Sequence, residues 1–190
     1  LFDRDKAAFR AGVIAGEAAL PSGVIVSKLW DEANRGLYSV TIGVNSNASG
    51  MASAVFGNFN ETISDYSGIL SGSEGEVAAD SDFSVIAGGQ KGSIVKSPHS
   101  SILGGDSNDI SESSHSSILG GFSNNISESV YSSVGSGQGS SIENSSFSFI
   151  LSGVTNSISE SPYSSILGGL SNDISDSSHS SLVGGTGSLI

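Results

Sequence analysis

The chain has 190 residues, 26 of them glycine, with 36% apolar residues, no cysteine and a formal net charge of −12. Only seven Lys and Arg oppose that charge, which excludes the basic footprint that nucleic-acid binding or docking on anionic lipid needs. The apolar residues never run long enough to span a membrane as a helix, and the lack of cysteine removes disulfides and thiolate metal sites.

Residues 1–37 carry no clear period. The start, LFDRDKAAFRAG, lacks signal-peptide character and reads as part of something longer. DRDKAAFRAG suits a short helix or a strand. A Pro21-Ser22-Gly23 turn precedes a short apolar run, Val24-Ile25-Val26. The segment is expected to be an N-terminal cap and lead-in, with Phe9 and Trp30 covering the open end of the first coil, because sheet edges are normally covered.

Residues 38–190 repeat. One glycine recurs at 43, 57, 72, 89, 105, 121, 137, 153, 169 and 185, in steps of 14, 15 and 17 and then of 16 six times. A fixed short period rich in Gly, Ser and β-branched residues predicts an all-β fold, a parallel β-solenoid of about ten coils, with stability coming from stacking. Three residues before the glycine stand Val40, Ala54, Ile69, Ile86, Ile102, Ile118, Val134, Ile150, Ile166 and Leu182. Five after it stand Ala48, Val77, Ile94, Ile110, Ile126, Ile142, Ile158, Ile174 and Ile190, with Ile63 as an offset member. These slots lie half a coil apart. They predict two short strands per coil and two facing Ile ladders around a thin dry core, with rungs about 4.8 Å apart.

Three residues after the glycine, Asn60, Asn108, Asn124, Asn156 and Asn172 share a slot with Gly75 and Gly92. Alternation of Asn with Gly suggests a left-handed turn residue, the other reading being an Asn hydrogen-bond ladder. Six residues before the glycine stand Tyr66, Phe83, His99, His115, Tyr131, Phe147, Tyr163 and His179. A stacked aromatic column explains all eight, so no metal site is expected at the histidines, and the column is a candidate ligand-stacking ladder. Carboxylates recur at Glu112, Glu128, Glu160 and Asp176, interrupted by Asn144, and read as a solvated repelling face.

Alternation along the first strand sends the slot two before the glycine outward: Thr41, Val55, Leu70, Ala87, Leu103, Leu119, Gly135, Leu151, Leu167 and Val183. A continuous apolar stripe is too large to leave in water. Leu70, Leu103, Leu119, Leu151, Leu167 and Val183 are therefore the expected interface between chains, with a local gap at Gly135.

Ser39-Val40-Thr41-Ile42-Gly43 and Ser53-Ala54-Val55-Phe56-Gly57, with their step of fourteen, resemble the head repeats of trimeric autotransporter adhesins of the YadA type. KAAFRAG at 6–12 and LWDEANRGLYSVTIG from Leu29 look like the lead-in of related surface proteins and tail fibres. From Gly89 onward the step of sixteen and the SSILGG wording depart from that head. The resemblance implies a left-handed β-roll, a side-by-side homotrimer and an extracellular place on a bacterial surface, virion or tail fibre. The expected function is a fibre or adhesin-head module that attaches to a host or surface receptor, a glycan being one candidate, with no catalysis, no cofactor, no nucleic acid and no membrane insertion by this segment. The other readings are a purely structural spacer of a phage-tail or injection-system fibre and an ice-binding solenoid using the Ser ladder at Ser100, Ser116, Ser132, Ser148, Ser164 and Ser180.

Overall fold

A computed structural model describes residues 2–14 and 31–190. Pro21-Ser22-Gly23, Val24-Ile25-Val26 and Trp30 lie outside the described residues. The chain is a parallel β-solenoid with about sixteen residues per coil, in which about nine turns carry both strands. Among the described residues twelve strands form one sheet and nine the other, and from Val40 onward the chain alternates between them.

The first sheet opens with β1 (Phe2–Asp3), antiparallel to β2 (Ala8–Val13). Thereafter every pairing in it is parallel, beginning with β2 on β3 (Val40–Val44) and β3 on β5 (Ala54–Asn58). The second sheet starts with β4 (Asn47–Ala48) on β6 (Glu61–Thr62). From Gly68 onward each strand is only two or three residues long, with one inward residue between partly exposed neighbours. The inward residues stack Ile on Ile: Ile102 on Ile118 in one sheet, Ile110 on Ile126 in the other. The ladders are fully buried as far as Ile166 and Ile174, while Leu182 is partly buried and Ile190 exposed at the last coil; each covered Ile contributes about 1.5–3 kcal/mol.

The early coils are set one residue differently from the fixed-offset expectation. Thr41 pairs with Val55 and Val55 with Ile69, so Thr41 and Val55, not Val40 and Ala54, point inward. These coils have one residue fewer between the inward position and the marker glycine, and a slip of one residue exchanges the faces of a strand. Likewise Thr62, not Ile63, fills the inward slot between Ala48 and Val77.

The parallel stack also begins earlier than residue 38. Arg10 aligns with Thr41, and Gly12 with Gly43, so β2 is a rung. Arg10 occupies the inward slot and is fully buried. It donates to Thr41 Oγ1, to the Ala48 carbonyl at 2.6 Å and to the Asn34 carbonyl at 3.2 Å. Burial, with the charge of Arg35 second, pushes its pKa down to about 10. Phe9, expected with Trp30 over this end, faces outward beside Phe2, and Arg10 is the first inward residue of the parallel stack among the described residues. The β1 turn is clamped from both sides. Asp3 accepts from Arg35 at 2.8 Å, and Lys6 Nζ donates to the Glu32 and Arg35 carbonyls at 2.6 and 3.0 Å.

The core is not dry throughout. Asn60, Asn108, Asn124, Asn156 and Asn172 are buried and none has positive φ. The left-handed-turn reading of this slot is therefore wrong, and the hydrogen-bond ladder is right. Asn172 N–H, for example, donates to Asn156 Oδ1 at 3.1 Å. The left-handed residue of that corner sits one position earlier, at Ser107, Ser123, Thr155 and Ser171. The marker glycines carry positive φ and touch the next rung: a Cβ on Gly121 would lie 2.2 Å from the Gly137 carbonyl oxygen.

Candidate functional site: two exposed columns

The aromatic column is built by the corner Ser113-Ser114-His115-Ser116 and its copies. Ser113 N–H donates to Ser97 Oγ at 2.9 Å, while Ser113 Oγ donates to the Ser111 carbonyl at 2.7 Å. Ser116 N–H donates to Ser100 Oγ at 3.2 Å, and Ser116 Oγ reaches the Ser129 carbonyl at 2.9 Å. Two buried hydroxyls per coil thus satisfy the corner from inside and leave the second of the two residues between them to turn outward. That residue is left-handed at every rung, with φ of 61° at His99, 59° at His115 and 57° at Tyr131. The Ser column from Ser100 to Ser180, the surface an ice-binding solenoid would need, lies on the inner side of this corner and is buried from Ser100 to Ser164.

Tyr66, Phe83, His99, His115, Tyr131, Phe147, Tyr163 and His179 form one unbroken stack with ring centroids 4.7 to 5.1 Å apart. The column is exposed, Tyr131 by 53%. Its ring faces, however, are covered by the rings above and below, leaving edges, hydroxyls and imidazole nitrogens at the surface. Within the stack a flat ligand finds no face to lie on.

The second column runs along the first sheet. Leu70, Leu103, Leu119, Leu151 and Leu167 are each between 42% and 55% exposed, and Val183 more so. Thr41 and Val55, expected to extend it, are inside; Ile42 and Phe56 take their places on the outer face. The gap expected at Gly135 is closed. Gly135 is buried, and Leu151 Cδ1 lies 3.4 Å from where its Cβ would stand. Sequence reasoning missed a flanking set on the other side of the glycine corner: Phe122, Val154 and Leu170, all exposed. Their slot also holds Ser73, Gln90, Asp106 and Gln138, so no uniform residue type flags it.

The opposite side is polar. Asp109, Asn125, Ser141, Ser157 and Asp173 align rung by rung on the second sheet. Glu112, Glu128, Glu160 and Asp176 form an exposed left-handed column, as does Lys96, which sequence reasoning did not place there and which pairs with Glu112 at 2.8 Å. Among the described residues no three His, Asp or Glu converge on a point that could hold a metal ion. No protein-family model and no curated protein matches the chain. Among the described residues no helix is long and apolar enough to cross a membrane.

Proposed function

We propose that this chain is a non-catalytic module of an extracellular trimeric fibre or adhesin head, on a bacterial surface, a virion or a tail fibre, that attaches to a host or surface receptor. The exposed Leu column carries the reading. A partner that covers equally spaced leucines over many rungs needs the same rung spacing, about 4.8 Å, which is the spacing of a parallel β-stack. A second copy of this chain has it. Leu119 and its copies line one side of the glycine corner, and Phe122, Val154 and Leu170 stand exposed on the other side among polar residues. Apolar residues on both sides of one corner suit closed symmetry about an axis parallel to the solenoid, in which each chain meets a neighbour on either side. The likeness of residues 38–57 to YadA-type heads supports three.

A spacer role is the second reading, favoured by the covered ring faces of the aromatic stack. The decisive measurement is light scattering at micromolar concentration, with and without Leu103→Ser, Leu119→Ser, Leu151→Ser and Leu167→Ser combined. Trimers that fall apart while circular dichroism stays β-rich support the proposal; a monomeric unmodified protein overturns it. Binding to a glycan array or host cells separates adhesin from spacer.

A further inference from the structure

The aromatic column has a missing ring. Its rungs do not start at Tyr66: Ala7, Tyr38 and Ala52 occupy the same left-handed position in the preceding coils, with φ of 49°, 58° and 51°. The backbone bonds confirm the alignment, Tyr38 N–H donating to the Lys6 carbonyl, Ala52 N–H to Leu37 and Tyr66 N–H to Met51. Reading up the column, the order is Tyr38, Ala52, Tyr66, Phe83. Tyr66 lies nearly parallel to Phe83, 3° between planes, so one of its faces is covered and the other looks toward the Ala52 rung. Tyr38 makes no ring contact among the described residues and is 61% exposed.

We infer that the Tyr38–Ala52–Tyr66 gap is a binding slot for one hexopyranose ring: among the described residues it is where two aromatic rungs of the ladder flank an alanine rung. The two tyrosines stand two rungs apart, roughly 9.6 Å. Ring systems in contact sit about 4.5–7 Å between centroids, so the gap admits one ring layer touching both walls. The Ala52 methyl forms the floor. A pyranose fits the chemistry of the walls: its C–H faces meet the tyrosine faces, and its equatorial hydroxyls meet a polar rim. That rim holds the phenol hydroxyls and the Asp65 carboxylate, whose Oδ1 accepts the Met51 N–H at 2.7 Å beside the floor. Tyr66 Oη contacts Met51 Sδ at 4.0 Å, which ties this wall to the floor's own coil. A mostly apolar slot with a few fixed polar groups is the usual form of a small-ligand site.

The slot takes its biological sense from the attachment reading, but it is tested apart from the trimer. Maltotetraose, cellotetraose and chitotetraose are titrated against the intact chain by saturation-transfer NMR, with tryptophanamide as an aromatic probe and light scattering on the same samples. At least one tetrasaccharide binds. Ala52→Tyr restores the missing ring, keeps the melting temperature and weakens binding about tenfold or more, as does Tyr66→Ala. Phe147→Ala, in the middle of the stack, leaves binding unchanged. The slot is overturned if no sugar binds, if only tryptophanamide binds, if Ala52→Tyr binds as well as the unmodified chain, or if Phe147→Ala is equally damaging. A trimer without sugar binding removes the slot alone; a monomer that binds sugar removes the trimer alone.

Discussion

Asn124 holds Asn108 twice across one turn of the solenoid: its backbone N–H and its Nδ2 both donate to Asn108 Oδ1, at 3.0 and 3.1 Å. The same Nδ2 also reaches the Gly120 and Gly137 carbonyls, at 3.1 Å each. One side chain therefore closes its own corner and links the coils on either side. The ladder is interrupted at Ser140. Its N–H takes Asn124 Oδ1 at 3.0 Å, but its buried hydroxyl has no partner.

Ser140→Asn should repair the ladder between Asn124 and Asn156. Removing an unsatisfied buried hydroxyl and adding a corner bond raises stability by about 1–2 kcal/mol. Denaturant unfolding checks this; a lower midpoint for the variant means that the rung cannot hold the longer side chain.

Stability should fall as pH rises from about 4, in part through Glu76 and Asp109. Burial raises the pKa of Glu76, with the charges of Glu61 and Asp109 adding to it. Burial also raises Asp109, against a hydrogen bond from Ser93. A raised folded pKa means that the folded chain keeps these protons when the unfolded chain has lost them. Their contribution is present below the unfolded values, near 4, and is lost as pH climbs through the raised ones. Glu76→Gln with Asp109→Asn should raise the melting temperature at pH 7 and change it little at pH 3.5. An equal gain at both pH values would assign the effect to packing rather than charge.

The core was legible at Ile118 and Ile126 because the step of sixteen repeats without error there. It was misread at Thr41 and Val55 because their coils are shorter, so a count anchored on glycine arrives on the wrong face. Asn and Gly share a slot for different reasons. Gly75 accepts the ladder from below, its N–H donating to Asn60 Oδ1 at 2.8 Å, without needing positive φ. That makes the alternation a poor sign of a left-handed turn. The aromatic column was legible as a column, but its exposure and covered faces depend on the buried Ser pairs behind it. Arg10 was invisible: a lone cation in a strand gives no sign that it ends a hydrophobic ladder.

Ile118→Asp should cost about 3–5 kcal/mol, because a carboxylate between Ile102 and Val134 has neither water nor a counter-ion. Chemical unfolding monitored by far-ultraviolet circular dichroism measures it, and the loss should shrink at low pH as the carboxyl protonates. A variant as stable as the unmodified chain would show that this rung is not closed.

Gly120 and Gly121 are neighbours in sequence with opposite tolerances. Gly121 has φ of 98°, and a Cβ there would meet the Gly137 carbonyl oxygen at 2.2 Å; at Gly120 nothing lies within 4 Å. The slot of Gly120 already carries Ser71, Ser136 and Ser152 in other coils, whereas the slot of Gly121 is glycine at every rung from Gly12 to Gly185. The backbones of successive coils touch there, so a side chain must either adopt a strained φ or push two rungs apart. Gly121→Ala should therefore lose about 2–4 kcal/mol, from the backbone strain and the overpacking together. Gly120→Ala should lie within about 0.5 kcal/mol of the unmodified chain. Parallel urea titrations of the two variants decide it. Equal destabilisation by both would mean that the effect comes from glycine content in general, and the backbone contact at Gly121 would not be what holds the spacing of the coils.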